Sequence, residues 1–167
     1  MANLDIPNGF TPSPLRRSRP YEVLASYATA IYPGDLVHVE ATGGGLNIAA
    51  AQEAYMSGVC LDYSAASTAS YAAVADDPQQ DHIAQDDGSG TPTQANILSS
   101  CDHLATAGDS TLKVSKMELA ISTVADSVAG HTLLQFIKGP DYAIGVNSVW
   151  RSIINEHMFH TGKTTTD

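Results

Sequence analysis

The chain has 167 residues, with 8 Lys and Arg against 18 Asp and Glu and a formal net charge of –10 at neutral pH. That length suits one domain with a real core, and no apolar run approaches the roughly 20 residues a membrane span requires. Residues 20–112 carry no Lys or Arg against twelve Asp and Glu, a surface that repels phosphate backbones and argues against nucleic acid as a partner of the body.

Residues 1–20 read as an extended N-terminal arm, which fits a docking strap and an unstructured terminus equally. Pro7, Pro12, Pro14 and Pro20 each fix φ and remove a donor, so neither helix nor central strand persists there. A proline-rich arm loses less entropy on docking than a glycine-rich one. Phe10, Pro12, Leu15, Arg16, Arg17 and Arg19 are its candidate docking residues. The start also lacks the charged-then-apolar pattern of a signal peptide, so a soluble protein made in the cytoplasm is expected.

Residues 21–160 read as an all-β domain, a small antiparallel barrel or sandwich of about eight to ten short strands. Its organising stretch is residues 26–40, SYATAIYPGDLVHVE, predicted as strand, tight turn, strand. Pro33 presets φ and Gly34 accepts the positive φ of a type II turn. Gly43-Gly44-Gly45 breaks the pattern, and residues 46–51 return as a third strand. Further strands are predicted at 55–64, 71–75 and 82–85, with AASTAS (65–70) as a loop between.

Residues 89–111 are dominated by Gly, Ser, Thr and Asp. A short strand at 94–98 and otherwise connection is the expectation. Residues 111–122 fit both a strand and a helix stripe, and the flanking loops favour β. HTLLQFIK (131–138) is a strand ending at the turn Gly139-Pro140-Asp141. WRSIINEHMF (150–159) is the last, with Trp150, Ser152, Ile154, Glu156 and Met158 on one face. Residues 161–167 form a C-terminal tail with no reason to be ordered alone.

Chemistry-bearing patterns are sparse. Cys60 and Cys101 are the only cysteines; Cys60 reads as a buried free thiol and Cys101 as a loop residue, with a disulfide not expected. Cys101-Asp102-His103 lacks a second ligand pair at zinc spacing. His157 and His160, three apart in a strand, point to opposite faces. Asp76, Asp77, Asp81, Asp86 and Asp87 surround a turn but lack an EF-hand's alternation and closing glutamate; solvated turn aspartates or a weak cation site both fit. No G-x-S-x-G elbow, HExxH or phosphate-cradling loop is present. Neither a catalytic residue, a metal nor a cofactor is expected, and the chain does not read as an enzyme.

Five stretches in the same order carry a resemblance: NGFTP (8–12), SYATAIYPGDLV (26–37), SGVCLDY (57–63), AVADDPQQDHIAQDDG (73–88) and SIINEHMF (152–159). Together they resemble the head decoration, or cement, proteins of tailed bacteriophages. Departures fall at SAASTAS, and residues 99–130 match loosely. The resemblance implies a structural virion protein on the outer surface of the capsid, with the major capsid protein as partner. It also implies self-association as a homotrimer at three-fold and quasi-three-fold positions, linking neighbouring capsomers. The arm would dock on coat protein through Phe10 and the three arginines. A tail or host-surface carbohydrate-binding β module is the rival reading, with Tyr55, Tyr63, Tyr71 and Trp150 as sugar-stacking rings.

Overall fold

A computed structural model describes residues 3–53, 55–125, 129–139 and 143–160. Within them the chain is all-β: two antiparallel sheets face each other without closing into a barrel. The first sheet orders its strands β1 (Thr11–Pro12), β7 (Asp81–Gln85), β11 (Val149–Ile154), β10 (His131–Phe136), β8 (Ser100–Leu104) and β9 (Glu118–Ala125). The second orders β2 (Arg19–Val23), β6 (Ser70–Ala75), β5 (Gly58–Cys60), β3 (Leu36–Val39) and β4 (Leu46–Ile48). The first sheet curls until a single parallel bridge joins Asp86, just past β7, to Leu119 on β9.

Burial explains why these residues form these strands. In β11, Trp150, Ser152 and Ile154 point inward while Val149, Arg151 and Ile153 are half-buried, the period-2 pattern of a one-sided strand. The inner strands of the second sheet are buried on both faces. Leu36 and Val59, partners in register, join Trp150, Leu133 and Phe136 in the main core. Val37, Cys60 and Val74 point the other way into a second cluster, covered by Ile31 and Tyr27. Strands covered twice read as unbroken apolar runs, which is why GVC and AAVA do not alternate.

The Pro33-Gly34 turn forms as the sequence predicts. Asp35 N–H donates to the Tyr32 carbonyl at 3.0 Å, and Gly34 takes φ +93°. The strand expected before it does not form. Residues 26–30 are mostly small, with too little apolar surface to hold a ladder, and only an isolated bridge from Ile31 to Ser64 remains. β3 pairs instead with β4, across the predicted glycine turn, and with β5. The turn nonetheless organises its surroundings: the Gly34 carbonyl accepts Phe10 N–H at 2.9 Å and the Pro33 carbonyl accepts Ser115 N–H at 3.1 Å.

Two further predictions change. Residues 94–96 are a 3-10 turn rather than a strand, because the Asn96 side chain accepts Thr93 N–H at 2.7 Å and closes a local cap. Residues 100–104, expected as connection, are β8, with Cys101 and His103 inward. The strand expected over 111–122 begins later, at Glu118; Asp109 first gathers the N–H groups of Thr111 and Leu112 into a turn. Pro140, Asp141 and the 161–167 tail lie outside the described residues.

Candidate docking surface

The segment predicted as a free arm is extended, but it runs along the domain as a strap. Gly9, at φ +69°, turns the chain inward; a Cβ there would sit 2.5 Å from the Gly34 carbonyl oxygen, so only glycine fits. The next residue enters the core. Phe10 is 1% exposed and stacks on His131, ring centroids 4.9 Å apart. It is therefore a packing residue, not an exposed docking group, and Pro12 is likewise occupied as part of β1, opposite His82.

Buried Gln80 fastens the middle of the strap. Its amide nitrogen donates to the Pro14 and Asp81 carbonyls at 2.6 and 2.8 Å, and its oxygen accepts Arg16 N–H at 2.7 Å. Ser13 N–H donates to the Asp81 carbonyl at 2.9 Å, and the Arg151 guanidinium donates to the Ser13 carbonyl at 3.0 Å.

Asp76 fastens the far end. Its carboxylate is fully buried; it accepts Arg17 Nε–H at 2.8 Å and Tyr21 O–H at 2.8 Å, with Arg19 Nη1 at 3.6 Å. Arg17 also donates to the Asp76 carbonyl. Burial, then the bond to Asp76, pushes the Tyr21 phenol up to about 12. Arg19 lies over the Phe159 ring at 5.8 Å. Two of the three arginines expected to meet a partner are thus engaged within the molecule. Leu15, Arg16 and Arg19 keep exposed side chains among the six, Arg19 while it reaches toward Asp76.

Ahead of Gly9 the chain presents apolar groups outward. The Asn3 amide donates to the Ala143 and Val146 carbonyls at 2.8 and 2.9 Å and accepts Ala143 N–H at 2.9 Å. Gln85 reads the adjoining backbone as a strand would, donating to the Leu4 carbonyl at 2.6 Å and accepting Ile6 N–H at 3.0 Å. With its backbone held, this edge exposes Leu4 (73%), Ile6 (58%), Val146 (49%) and Ile144 (40%). The sequence carries one sign of this, the alternation of Leu4 and Ile6 with Asn3 and Asp5; nothing in it marks Asn3, Gln80 or Gln85 as clasps.

The acidic residues do not gather. Strand β7 separates Asp76 from Asp86 and Asp87, and each serves its own end. Asp86 is buried and accepts the N–H groups of Gly88, Asn147 and Ser148 together with the Ser148 hydroxyl, which in turn accepts Trp150 Nε1–H at 2.8 Å. Asp81 lies 3.3 Å from Arg151. Among the described residues no group of three or more His, Cys, Asp or Glu is arranged to hold a metal ion. Both cysteines are free and buried, and burial pushes each thiol up to about 12. An open groove of about 580 Å³ lies between Gln94, Gln135, Lys138 and Arg151, where Arg151 is already engaged by Ser13 and Asp81.

The arrangement fastens a strap to the sandwich and presents an apolar edge beside it. Comparison of the chain with models of known families, with curated proteins and with solved structures finds no match to any of them.

Proposed function

We propose that the chain is a structural virion protein that decorates the outside of a bacteriophage head, binds the major capsid protein and stabilises the shell by linking neighbouring capsomers. The five collinear stretches that resemble decoration proteins motivate the reading. The observation that carries it is the fastened apolar edge of Leu4, Ile6, Ile144 and Val146, where side chains are offered outward on a backbone already ordered. A pre-ordered edge loses little entropy on binding. Exposed apolar groups held together in this way mark a protein-docking surface. Leu15, Arg16 and Arg19 lie exposed farther along the same segment and give it two cations. Self-association around a three-fold axis belongs to the same proposal: many copies with modest contacts add up to strong attachment.

The carbohydrate-binding alternative loses its largest ring. Trp150 is fully buried and edge-on to Phe136; Tyr63, with Lys113 Nζ 4.4 Å from its centroid, and Tyr71 stay exposed.

The test is co-sedimentation of the full chain with heads that lack it. Uptake near one copy per coat subunit or per three-fold position is expected. Leu4→Asp with Ile6→Asp should abolish it while Trp150 emission stays that of a buried indole. A few copies per particle, as for a tail part, or undiminished uptake of the double variant would overturn the reading.

A further inference from the structure

Four of the six histidines are buried to 1% exposure or less: His82, His103, His131 and His157. They sit on β7, β8, β10 and the segment after β11, yet form one row. His103 meets His131 edge to face, centroids 5.5 Å apart. His82 is close enough to oppose a positive charge on His131, and His157 to oppose one on His82.

The strap runs along this row. Phe10 lies on His131, Pro12 is the register partner of His82, and Arg17 with Asp76 flanks His157. The row is poorly furnished with partners. Among the described residues His82 Nδ1, both nitrogens of His131, His157 Nε2 and the inward hydroxyl of Ser152 have no hydrogen-bond partner, while the backbone of Ala49 and Ala50 approaches the His103 ring.

The charged and titratable groups around each ring are unequal. Asp102 on β8 and Glu53 face His103. Asp76, Asp77, Arg17 and His160 face His157. His131 has His103 and His82, with the neutral thiol of Cys101 opposite in register; His82 has His131 and His157. Among the described residues the two imidazoles beneath Phe10 and Pro12 therefore have no carboxylate to receive a charge.

We propose that this row of imidazoles is an acid-operated latch for the N-terminal strap. Uncharged rings hold residues 8–17 on the sandwich at neutral pH, and proton uptake expels the strap as a unit before the sheets separate, freeing Phe10 and Arg17 for a partner. The last clause rests on the decoration reading; the undocking does not.

The strap can open without parting any other ladder. Lifting it breaks the two-residue pairing of β1, the Phe10 and Ser13 backbone bonds, and the Gln80, Arg151 and Arg17–Asp76 bonds, and it uncovers Phe10, while every other ladder of both sheets stays intact. It brings water to His131 and His82, where a charge is then solvated. Burial holds His82 down to about 3 and His157 to about 4, and holds His131 well below its ordinary value. The docked form therefore binds fewer protons than the open one at any pH under about 6.5. With two imidazoles released, the opening constant rises by up to about 100-fold for each pH unit below that value.

The experiment is hydrogen–deuterium exchange on the full chain from pH 7.5 to 4.5, corrected for intrinsic rates, with Trp150 emission read alongside. Peptides covering residues 8–19 should lose protection at a higher pH than β6, β10 and β11, while Trp150 remains buried. His131→Phe, which keeps a ring beneath Phe10, should move the strap's opening to lower pH by half a unit or more, about one proton fewer. Should that variant not fold, the wild-type histidine proton resonances serve: those of His82 and His131 should titrate at the pH where the strap opens. Strap and sheets losing protection together, an opening pH unmoved by His131→Phe, or titration of the two rings apart from the opening would overturn the latch. Head binding is read separately at pH 7.5 and 5.5. No uptake at either pH, with the strap opening as described, would sink the decoration reading and leave the latch standing.

Discussion

Phe10 lies face to face with His131, their ring planes 17° from parallel and their centroids 4.9 Å apart. A residue from the proline-rich leader thereby closes the interior of a sandwich whose other core residues come from much later in the chain. The contact makes the leader part of the fold. The turn at residues 33–34 is its seat, because the Gly34 carbonyl takes the Phe10 N–H.

Phe10→Ala should therefore destabilise the whole domain, by about 3–5 kcal/mol, as for other large aromatic truncations in cores. Leu15→Ala, five residues on and half exposed, should stay within about 0.5 kcal/mol of the parent. Urea unfolding followed by Trp150 emission measures both. Equal effects at the two positions would mean that the strap packs elsewhere in solution.

Asp76 is the second fastening. Asp76→Ala removes the acceptor of Arg17 Nε–H and Tyr21 O–H together, at a cost of about 1–3 kcal/mol for the bonds lost and the polar groups left unpaired. Where cutting follows local opening, that loss should accelerate tryptic cleavage after Arg16 and Arg17 by about fivefold or more. Cleavage rates at neutral pH, read by mass spectrometry, test it. An unchanged rate would show that Gln80 alone holds the segment.

How much of this was legible in the sequence depends on the range of the cause. The β class, the turn at Pro33-Gly34, the glycine hairpin and strands β6, β7, β10 and β11 follow from patterns within a few residues, and all are present. Strand β8 was hidden because its inward residues are Cys101 and His103, which a hydropathy pattern scores as polar connection. The leader was misplaced for a related reason. Four prolines forbid helix and central strand but do not forbid an edge pairing such as β1 against β7, and nothing local to Asn8-Gly9-Phe10 says that a carbonyl from residue 34 waits for it. The arginines read as a basic cluster in sequence; in space a single buried carboxylate, 57 residues or more away along the chain, takes up two of them.

The thiols give a simple check on burial. Cys60 and Cys101 are both fully inaccessible, and burial pushes each up to about 12. The thiolate is the reactive form. An aromatic disulfide reagent at pH 8 should find no thiol in the folded chain and two once urea is added. A fast-reacting thiol in the native protein would place Cys101 back at the surface, as the sequence suggested.

Glu118, at the head of β9, should make the domain less stable as the solution is made more alkaline. Burial first, then the nearby carboxylates of Asp5, Asp87 and Asp86, push its carboxyl up to about 7 from an ordinary 4.5. The folded chain thus holds this proton more tightly than the unfolded chain. The group's contribution is complete below pH 4.5 and is lost as the pH rises through 7, after which it stays constant. Because the side chain keeps contact with solvent, the loss is set at about 1–2 kcal/mol rather than the full shift. Glu118→Gln removes the charge and keeps the size, so it should be more stable than the parent by that amount at pH 8. Its advantage should shrink by roughly half at pH 5.5, where most of the parent's side chains in the folded state are already protonated. Urea midpoints of the two proteins at both pH values decide the matter: an advantage independent of pH would trace the effect to packing, and no advantage at pH 8 would mean that Asp5 and Asp87 stand farther from Glu118 than the strap's docked position implies.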